Sequence, residues 1–162
     1  MTAPAAPTGS WRERVLGVLL AQLRQGTSPE ALALACALGA VLAVFPILGS
    51  TTLLCAIAAA ALRLNQPAIQ LVNWLCYPLQ LLLLIPYYRL GERLGAPHLA
   101  LSVPQLLERF RTEGPWRFMG EFGTIALGGV GAWCLTAPPA AAALYFLLRP
   151  ALRRLALRLP QN

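Results

Sequence analysis

Three long apolar blocks occupy most of the chain and predict helices in a membrane. Residues 31–62 and 64–88 carry no charged side chain, and residues 118–148 carry only Glu121. A helix that crosses a bilayer needs about 20 apolar residues, each adding about 1.5 Å of length. The block at 64–88 therefore fits one crossing, whereas the other two are too long for one upright helix and too short for two full ones.

Each of the two longer blocks has a break near its middle. In the first, Pro46 and Gly49 interrupt the pattern within residues 45–50, and in the second, two adjacent prolines lie within residues 136–139. Proline removes a backbone donor and glycine loosens the turn. We therefore expect each block to form a broken helical hairpin, made either of two short crossings or of a re-entrant loop.

The first break also offers chemistry. Ser50, Thr51 or Thr52 can cap the helix that follows it. Irregular backbone at membrane depth survives only where it is buried in protein or lines a wet cavity. A helix that begins there presents N–H groups and a positive dipole end that suit an anion. The alternative is a surface turn between two full crossings, where water satisfies the backbone.

A stripe of uncharged polar residues follows one face of the block at 64–88. Its members are Gln66, Gln70, Asn73, Tyr77 and Gln80. The steps of four and three residues are typical of one helical face, and Pro78 predicts a kink within it. Because an unpaired amide in hydrocarbon costs several kcal/mol, we expect the stripe to face the bundle interior or an aqueous cavity. It then either joins helices by hydrogen bonds or faces a substrate.

Small residues recur every four positions in the two longer blocks. They are Ala35, Gly39 and Ala43 in the first and Thr124, Gly128 and Ala132 in the second. Such spacing allows close approach of helix backbones in lipid, where packing drives association. We expect these six positions to lie at helix–helix contacts.

Polar segments flank the apolar blocks. The connector between the second and third blocks predicts a short amphipathic helix that ends at Gly114-Pro115. The arginines near the C-terminus either bind anionic headgroups or anchor the chain by the positive-inside rule. We favour both termini in the cytoplasm and leave the side of the connector open. The predicted segments are a disordered tail at 1–9, an amphipathic interfacial helix at 10–26, a membrane helical domain at 27–149 with the polar connector at 89–117, and a basic tail at 150–162.

Composition supports the membrane assignment and restricts the chemistry. The chain is 57% hydrophobic and 12% charged, well below the roughly 25% charged residues of soluble domains. All thirteen basic residues are arginine, no lysine or aspartate is present, and His98 is the single histidine. These counts exclude a lysine Schiff base and an aspartyl nucleophile. The four cysteines lie in apolar runs without metal-ligand spacing, so we expect no metal. From the composition as a whole we expect no enzyme activity, no cofactor and no nucleic-acid partner.

Residues 28–94 resemble the bacterial family known as domain of unknown function 2062. The features that carry the resemblance are Ser28-Pro29, Gly39, Phe45-Pro46, Gly49, Leu64-Asn65-Gln66-Pro67, Asn73, Tyr77-Pro78, Pro86-Tyr87-Tyr88 and Arg89-Leu90-Gly91. The resemblance implies a small bacterial integral membrane protein. It also suggests envelope glycolipid pathways, because some relatives are fused to glycosyltransferase-like or methyltransferase-like domains.

The fold class expected from these features is an all-α integral membrane protein of the bacterial cytoplasmic membrane. It would be a small bundle with two broken hairpins, a kinked polar-striped helix and interfacial amphipathic helices. The first functional hypothesis is that it binds or translocates an amphipathic lipid, such as a polyprenyl phosphate. The alternative is a non-catalytic anchor or scaffold for an envelope glycosyltransferase or a related enzyme. The substrate-binding candidates are Gln70, Asn73, Tyr77 and Gln80 of the stripe, Ser50 and Thr51 at the first break, and Arg63 and Arg89 at the mouth of the site.

Overall fold

The computed structural model describes residues 17, 20–22, 27–98 and 103–157, and within 103–122 it describes the backbone together with Gly120. These ranges contain no strands, which confirms the all-helical class. The helices are α1 (Pro29–Ala43), α2 (Thr51–Leu62), α3 (Gln66–Leu75), α4 (Tyr77–Arg93) and α5 (Val103–Leu157). The helix predicted at 10–26 lies largely outside the described residues, and those described within it are helical.

The first apolar block forms α1 and α2, and the chain leaves the helix where the break was predicted. Ser28 caps α1 by accepting a hydrogen bond from the Ala31 N–H at 3.2 Å. The connection at 44–50 contains Gly49 with a φ of +83°, a left-handed conformation that glycine adopts without steric cost. At its other end, α2 stops where Arg63 turns left-handed.

The polar-striped block forms two helices that meet at a sharp bend. Asn65 caps α3 by accepting a hydrogen bond from the Ala68 N–H at 2.9 Å. The axes of α3 and α4 differ by 64° across Cys76, and Pro78 lies in the first turn of α4. Proline there cannot donate to the carbonyl one turn earlier. The kink predicted at Pro78 is confirmed, and the stripe is divided between two helices.

The third block does not form a hairpin. α5 runs without interruption from Val103 to Leu157, so the break predicted at 136–139 and the helix end predicted at Gly114-Pro115 are both wrong. Proline fits the φ of a helix, but it removes one hydrogen bond and its ring crowds the carbonyl four residues earlier, at a cost of about 3 kcal/mol. Packing offsets that cost around residues 136–139, because α1 contacts α5 on both sides of the prolines, at Trp133 and at Arg153. Tertiary contacts here override local propensity.

α1 lies at the centre of the bundle and packs against α2, α3 and α5, while α4 packs along α5. The largest buried cluster contains Leu32, Ala33, Ala35, Cys36, Cys55, Ala59, Ala68, Ile69 and Leu152. Leu152 belongs to residues 150–162, which were predicted to be a basic tail. The described part of that segment, up to Leu157, continues α5 and contributes to the core.

Small residues create two close helix contacts. A Cβ at Gly39 would lie 2.8 Å from the Ile69 carbonyl oxygen, so α1 and α3 nearly touch there. A Cβ at Gly91 of α4 would lie 2.5 Å from the backbone of Gly128 of α5. Among the other small residues that were predicted to lie at helix–helix contacts, Ala35, Ala43 and Ala132 are buried, whereas Thr124 is exposed.

By length and composition, one described helical segment, Gly123–Leu157, is long and apolar enough to cross a membrane. The bent pair formed by α3 and α4 passes the same test when its two parts are taken as one span. α1 and α2 are apolar but shorter.

Candidate functional site

Side chains on the face of the polar stripe contact the backbone of the connection at the first break. Gln80 is 1% exposed, and its Nε2 donates to the Phe45 carbonyl at 2.8 Å. The Tyr88 hydroxyl donates to the Pro46 carbonyl at 2.8 Å. Two side chains of α4 therefore hold consecutive carbonyls of the non-helical connection, whose own backbone geometry leaves these groups without helical partners.

Tyr88 was not among the candidate residues. It follows Gln80 by eight residues, which is close to two helical turns, so it continues the face of the stripe. That period was the available signal, and Tyr88 was overlooked because the stripe was traced only as far as Gln80.

The α3 part of the stripe contacts the start of α2. Asn73 is 3% exposed, and its Nδ2 donates to the Thr52 hydroxyl at 3.3 Å. Gln70 Nε2 donates to the Thr52 carbonyl at 3.0 Å. Gln70 also accepts from Asn73 at 3.4 Å. Gln70 and Asn73 thus face protein, as the cost of leaving an amide unpaired in an apolar surrounding requires. Gln66, which was predicted to share this environment, is exposed at the start of α3.

A groove of about 410 Å³ opens where α2 begins and α3 ends. Its lining residues are Gly49, Thr51, Thr52, Asn73, Trp74 and Tyr77. Thr51 and Asn73 are buried and form polar walls. Trp74 and Tyr77 are 67% and 51% exposed and form an aromatic rim. The groove thus combines hydrogen-bonding groups inside with apolar surface at its edge.

Ser50 lies beside the groove but does not cap α2. Its hydroxyl donates to the Ile47 carbonyl at 2.8 Å, and its side chain makes no capping bond. The first-turn N–H groups of a helix have no partner inside the helix. Ser50 therefore does not cap these N–H groups in α2, although it was one of the three residues predicted as a possible cap.

The two candidate arginines do not line the groove. Arg63 follows the last residue of α2, and the twelve residues of that helix place it about 18 Å from the groove along the helix axis. Arg89 is exposed, and its guanidinium contacts Glu92 at 2.9 Å and His98 at 3.3 Å. The lining of the groove contains neither arginine. Arg63 lies at the far end of α2, and Arg89 contacts Glu92 and His98 instead.

A separate charged cluster joins α1 to the C-terminal part of α5. The Glu30 carboxylate accepts a hydrogen bond from Arg153 and lies 3.9 Å from Arg149. The hydrogen bond from Arg153 holds the pKa of the Glu30 carboxyl below its ordinary value.

Glu30→Gln should remove an acid-dependent part of the stability. A glutamate has an ordinary pKa of about 4.3. Because the folded protein lowers the pKa of Glu30, the contribution is complete above the ordinary value and is lost as the pH falls through the lowered one. We expect the melting temperature in detergent to fall over that pH range, and to fall less in Glu30→Gln. Identical pH profiles for the two proteins would contradict a stabilising role of this pair.

These features define a class of protein: a helical chain with one described helix long and apolar enough to span a membrane and a polar groove beside a non-helical connection. The chain belongs to the bacterial family described as "Uncharacterized protein conserved in bacteria (DUF2062)", whose model matches residues 13–158. The resemblance noted at 28–94 is thereby confirmed and extended to most of the chain. No curated protein and no solved structure matches the chain.

Proposed function

We propose that this chain is a multi-pass protein of the bacterial cytoplasmic membrane. Large apolar side chains on the outer surfaces of the helices support this proposal, among them Leu53, Ile57, Leu82, Leu127 and Phe146, each more than half exposed. Soluble monomers rarely expose contiguous apolar patches of more than a few hundred Å². The apolar window of Gly123–Leu157 is only 11% buried, whereas the core helix of a soluble protein would be mostly buried.

The proposed activity is binding or translocation of an amphipathic lipid of the polyprenyl-phosphate type. The observation that carries it is the groove, which has polar walls at Thr51 and Asn73 and an exposed aromatic rim at Trp74 and Tyr77. A lipid presents the same two chemistries, since its headgroup needs hydrogen-bond donors and its chain needs apolar surface. The N–H groups of the first α2 turn, which Ser50 does not cap, would supply donors for an anionic headgroup.

The proposed role requires no catalysis. Binding and movement of a lipid need donors and apolar surface, whereas an enzyme needs positioned acids and bases. The chain contains no lysine or aspartate, and its one histidine, His98, is exposed beside Glu92. We therefore propose no enzyme activity for this chain.

A second candidate function is a membrane anchor or scaffold for an envelope enzyme. One specific observation favours it: Gln70 and Asn73 join α3 to the start of α2, and Gln80 joins α4 to the connection before α2, by hydrogen bonds. Interhelical hydrogen bonds of this kind stabilise membrane bundles without any ligand. In this alternative the groove is a by-product of the bend, and the exposed apolar surface binds a partner protein.

Native mass spectrometry of the purified full chain with added polyprenyl phosphate tests the first candidate. Trp74→Ala removes most of the rim, and we expect it to weaken lipid binding by about tenfold, the equivalent of about 1.4 kcal/mol. Leu82→Ala is the matched control, because Leu82 is 71% exposed and lies outside the groove lining. We expect it to bind the lipid as the native chain does.

The same preparation separates the two candidates. A lipid retained through purification and lost from Trp74→Ala supports the groove as its site. Absence of lipid binding, or equal binding by both variants, contradicts the first candidate. A protein that co-purifies in fixed stoichiometry with the native chain, and equally with Trp74→Ala, supports the scaffold instead.

A further inference from the structure

One end of the bundle, called here the basic end, gathers the start of α1, the junction of α2 and α3, and the last part of α5. Its described charged residues are Glu30, Arg63, Arg149, Arg153 and Arg154. Two contacts establish the grouping. Arg153 pairs with Glu30, and Asn65, two residues after Arg63, donates to the Thr27 hydroxyl at 3.4 Å.

The opposite end, called here the connector end, is formed by the last part of α4 and the residues that follow it. Its described charged or titratable residues are Arg89, Glu92, Arg93 and His98. Gly91 of α4 packs against Gly128 of α5 at this end. The 25 residues from Gly128 to Arg153 make about 37 Å of α5, and the hydrocarbon core of a bilayer is about 30 Å thick. The two ends are therefore far enough apart to lie on opposite sides of a membrane.

Arginine is distributed unequally along the sequence that adjoins the two ends. The chain up to residue 30, Arg63 and residues 149–162 together carry eight arginines and two glutamates. Residues 89–122 carry five arginines and four glutamates. The side with more arginine is retained in the cytoplasm by the positive-inside rule. The basic end is accordingly the cytoplasmic one.

The groove lies toward the connector end. The non-helical connection beside it contacts α5 near residues 129–133, since the Phe45 ring lies 5.0 Å from the Trp133 ring and the Tyr88 ring packs against Gly129. Along α5 that level is about 24–36 Å from the basic arginines at 149 and 153 and less than about 8 Å from Gly128. α1 and α2 thus form a hairpin that reaches from the basic end most of the way across.

We propose that the groove opens toward the extracytoplasmic side and takes its lipid from that leaflet. This inference rests on the proposed lipid-binding function and specifies where its ligand comes from. It also places Thr27 and Leu157 on the cytoplasmic side, and it places residues 89–98 on the opposite side. Two crossings, the bent pair α3–α4 and the helix Gly123–Leu157, are consistent with this arrangement.

Single cysteines in an otherwise cysteine-free full chain test the sidedness. Cys36, Cys55, Cys76 and Cys134 are first replaced with alanine, and retention in the membrane fraction shows that this background inserts. Tyr77→Cys, with Trp74→Cys as a second variant, reports on the groove, and Ala151→Cys reports on the basic end. Leu75→Cys is the control for an exposed neighbour outside the groove lining.

A charged, membrane-impermeant maleimide is applied to intact spheroplasts and to inverted vesicles. We expect the groove cysteines to react in spheroplasts, Ala151→Cys to react in inverted vesicles, and Leu75→Cys to react in neither. The reversed pattern, labelling of both positions from the same side, or groove cysteines that react from neither side would each overturn the proposal.

Lipid protection distinguishes a failure of this inference from a failure of the proposed function. The Tyr77→Cys protein is reconstituted into phosphatidylethanolamine vesicles with and without polyprenyl phosphate. Slower labelling with polyprenyl phosphate supports the groove as its site. The expected sidedness without any protection refutes the lipid ligand and the proposed function, while the transmembrane arrangement stands. Protection combined with the reversed sidedness refutes only the leaflet assigned here.

Discussion

Gly128→Leu should lower the free energy of unfolding in detergent by about 1–3 kcal/mol through overpacking. At this position α5 passes against the backbone of Gly91, and even a Cβ would collide with the Cβ of Ala96. A leucine has no room unless α4 and α5 separate. Thermal melting of the purified variant, followed by helical circular dichroism, measures the loss.

Gly131→Leu is the matched control on the same helix. No atom lies within 4 Å of a Cβ at Gly131, so leucine there gains helix propensity of roughly 0.5–1 kcal/mol without a clash. Gly91→Ala should behave like Gly128→Leu, because it meets the same contact from the other helix. Equal melting of Gly128→Leu and Gly131→Leu would mean that the two helices do not approach closely at this point.

Tyr88→Phe should cost about 1–3 kcal/mol, the penalty of leaving a buried carbonyl without a donor. The Tyr88 hydroxyl donates to the carbonyl of the buried Pro46. Phenylalanine preserves the ring and its packing against Gly129, so the change isolates the hydrogen bond. A lower melting temperature, with unchanged helix content at low temperature, is the expected result.

Tyr77→Phe provides the comparison for that measurement. Tyr77 is half exposed on the groove rim, so loss of its hydroxyl should change stability by less than about 0.5 kcal/mol. If Tyr88→Phe melts like Tyr77→Phe, then the Tyr88 hydrogen bond does not hold the connection at 44–50, and Gln80 is left as its support from α4.

Periodicity identified amide side chains that form hydrogen bonds inside the bundle, because it rests on a strong energetic requirement. Amides spaced along one helical face must find partners in an apolar surrounding, and the backbone groups freed at the first break need partners as well. Their pairing through Gln80 and Phe45 follows from those two demands. The 64° bend, by contrast, depends on how α3 and α4 pack, and Pro78 indicated only its position.

The errors came from features that local pattern does not contain. Pro138 and Pro139 mark a break by local chemistry, yet contacts of α1 on both sides of them keep α5 continuous. Arg63 and Arg89 were assigned to the mouth because they border the blocks. Helix direction, which only the assembled bundle reveals, places Arg63 at the end opposite the groove.

Deletion of residues 1–26, followed by alkaline extraction of the membranes, tests most directly whether the helical bundle itself is embedded in the bilayer. The predicted amphipathic helix at 10–26 is then absent, so only the apolar surfaces of α1 to α5 remain to hold the chain. We expect the truncated protein to stay in the membrane pellet. Its release into the alkaline supernatant would contradict the membrane-embedded bundle, and the lipid groove would lose its basis.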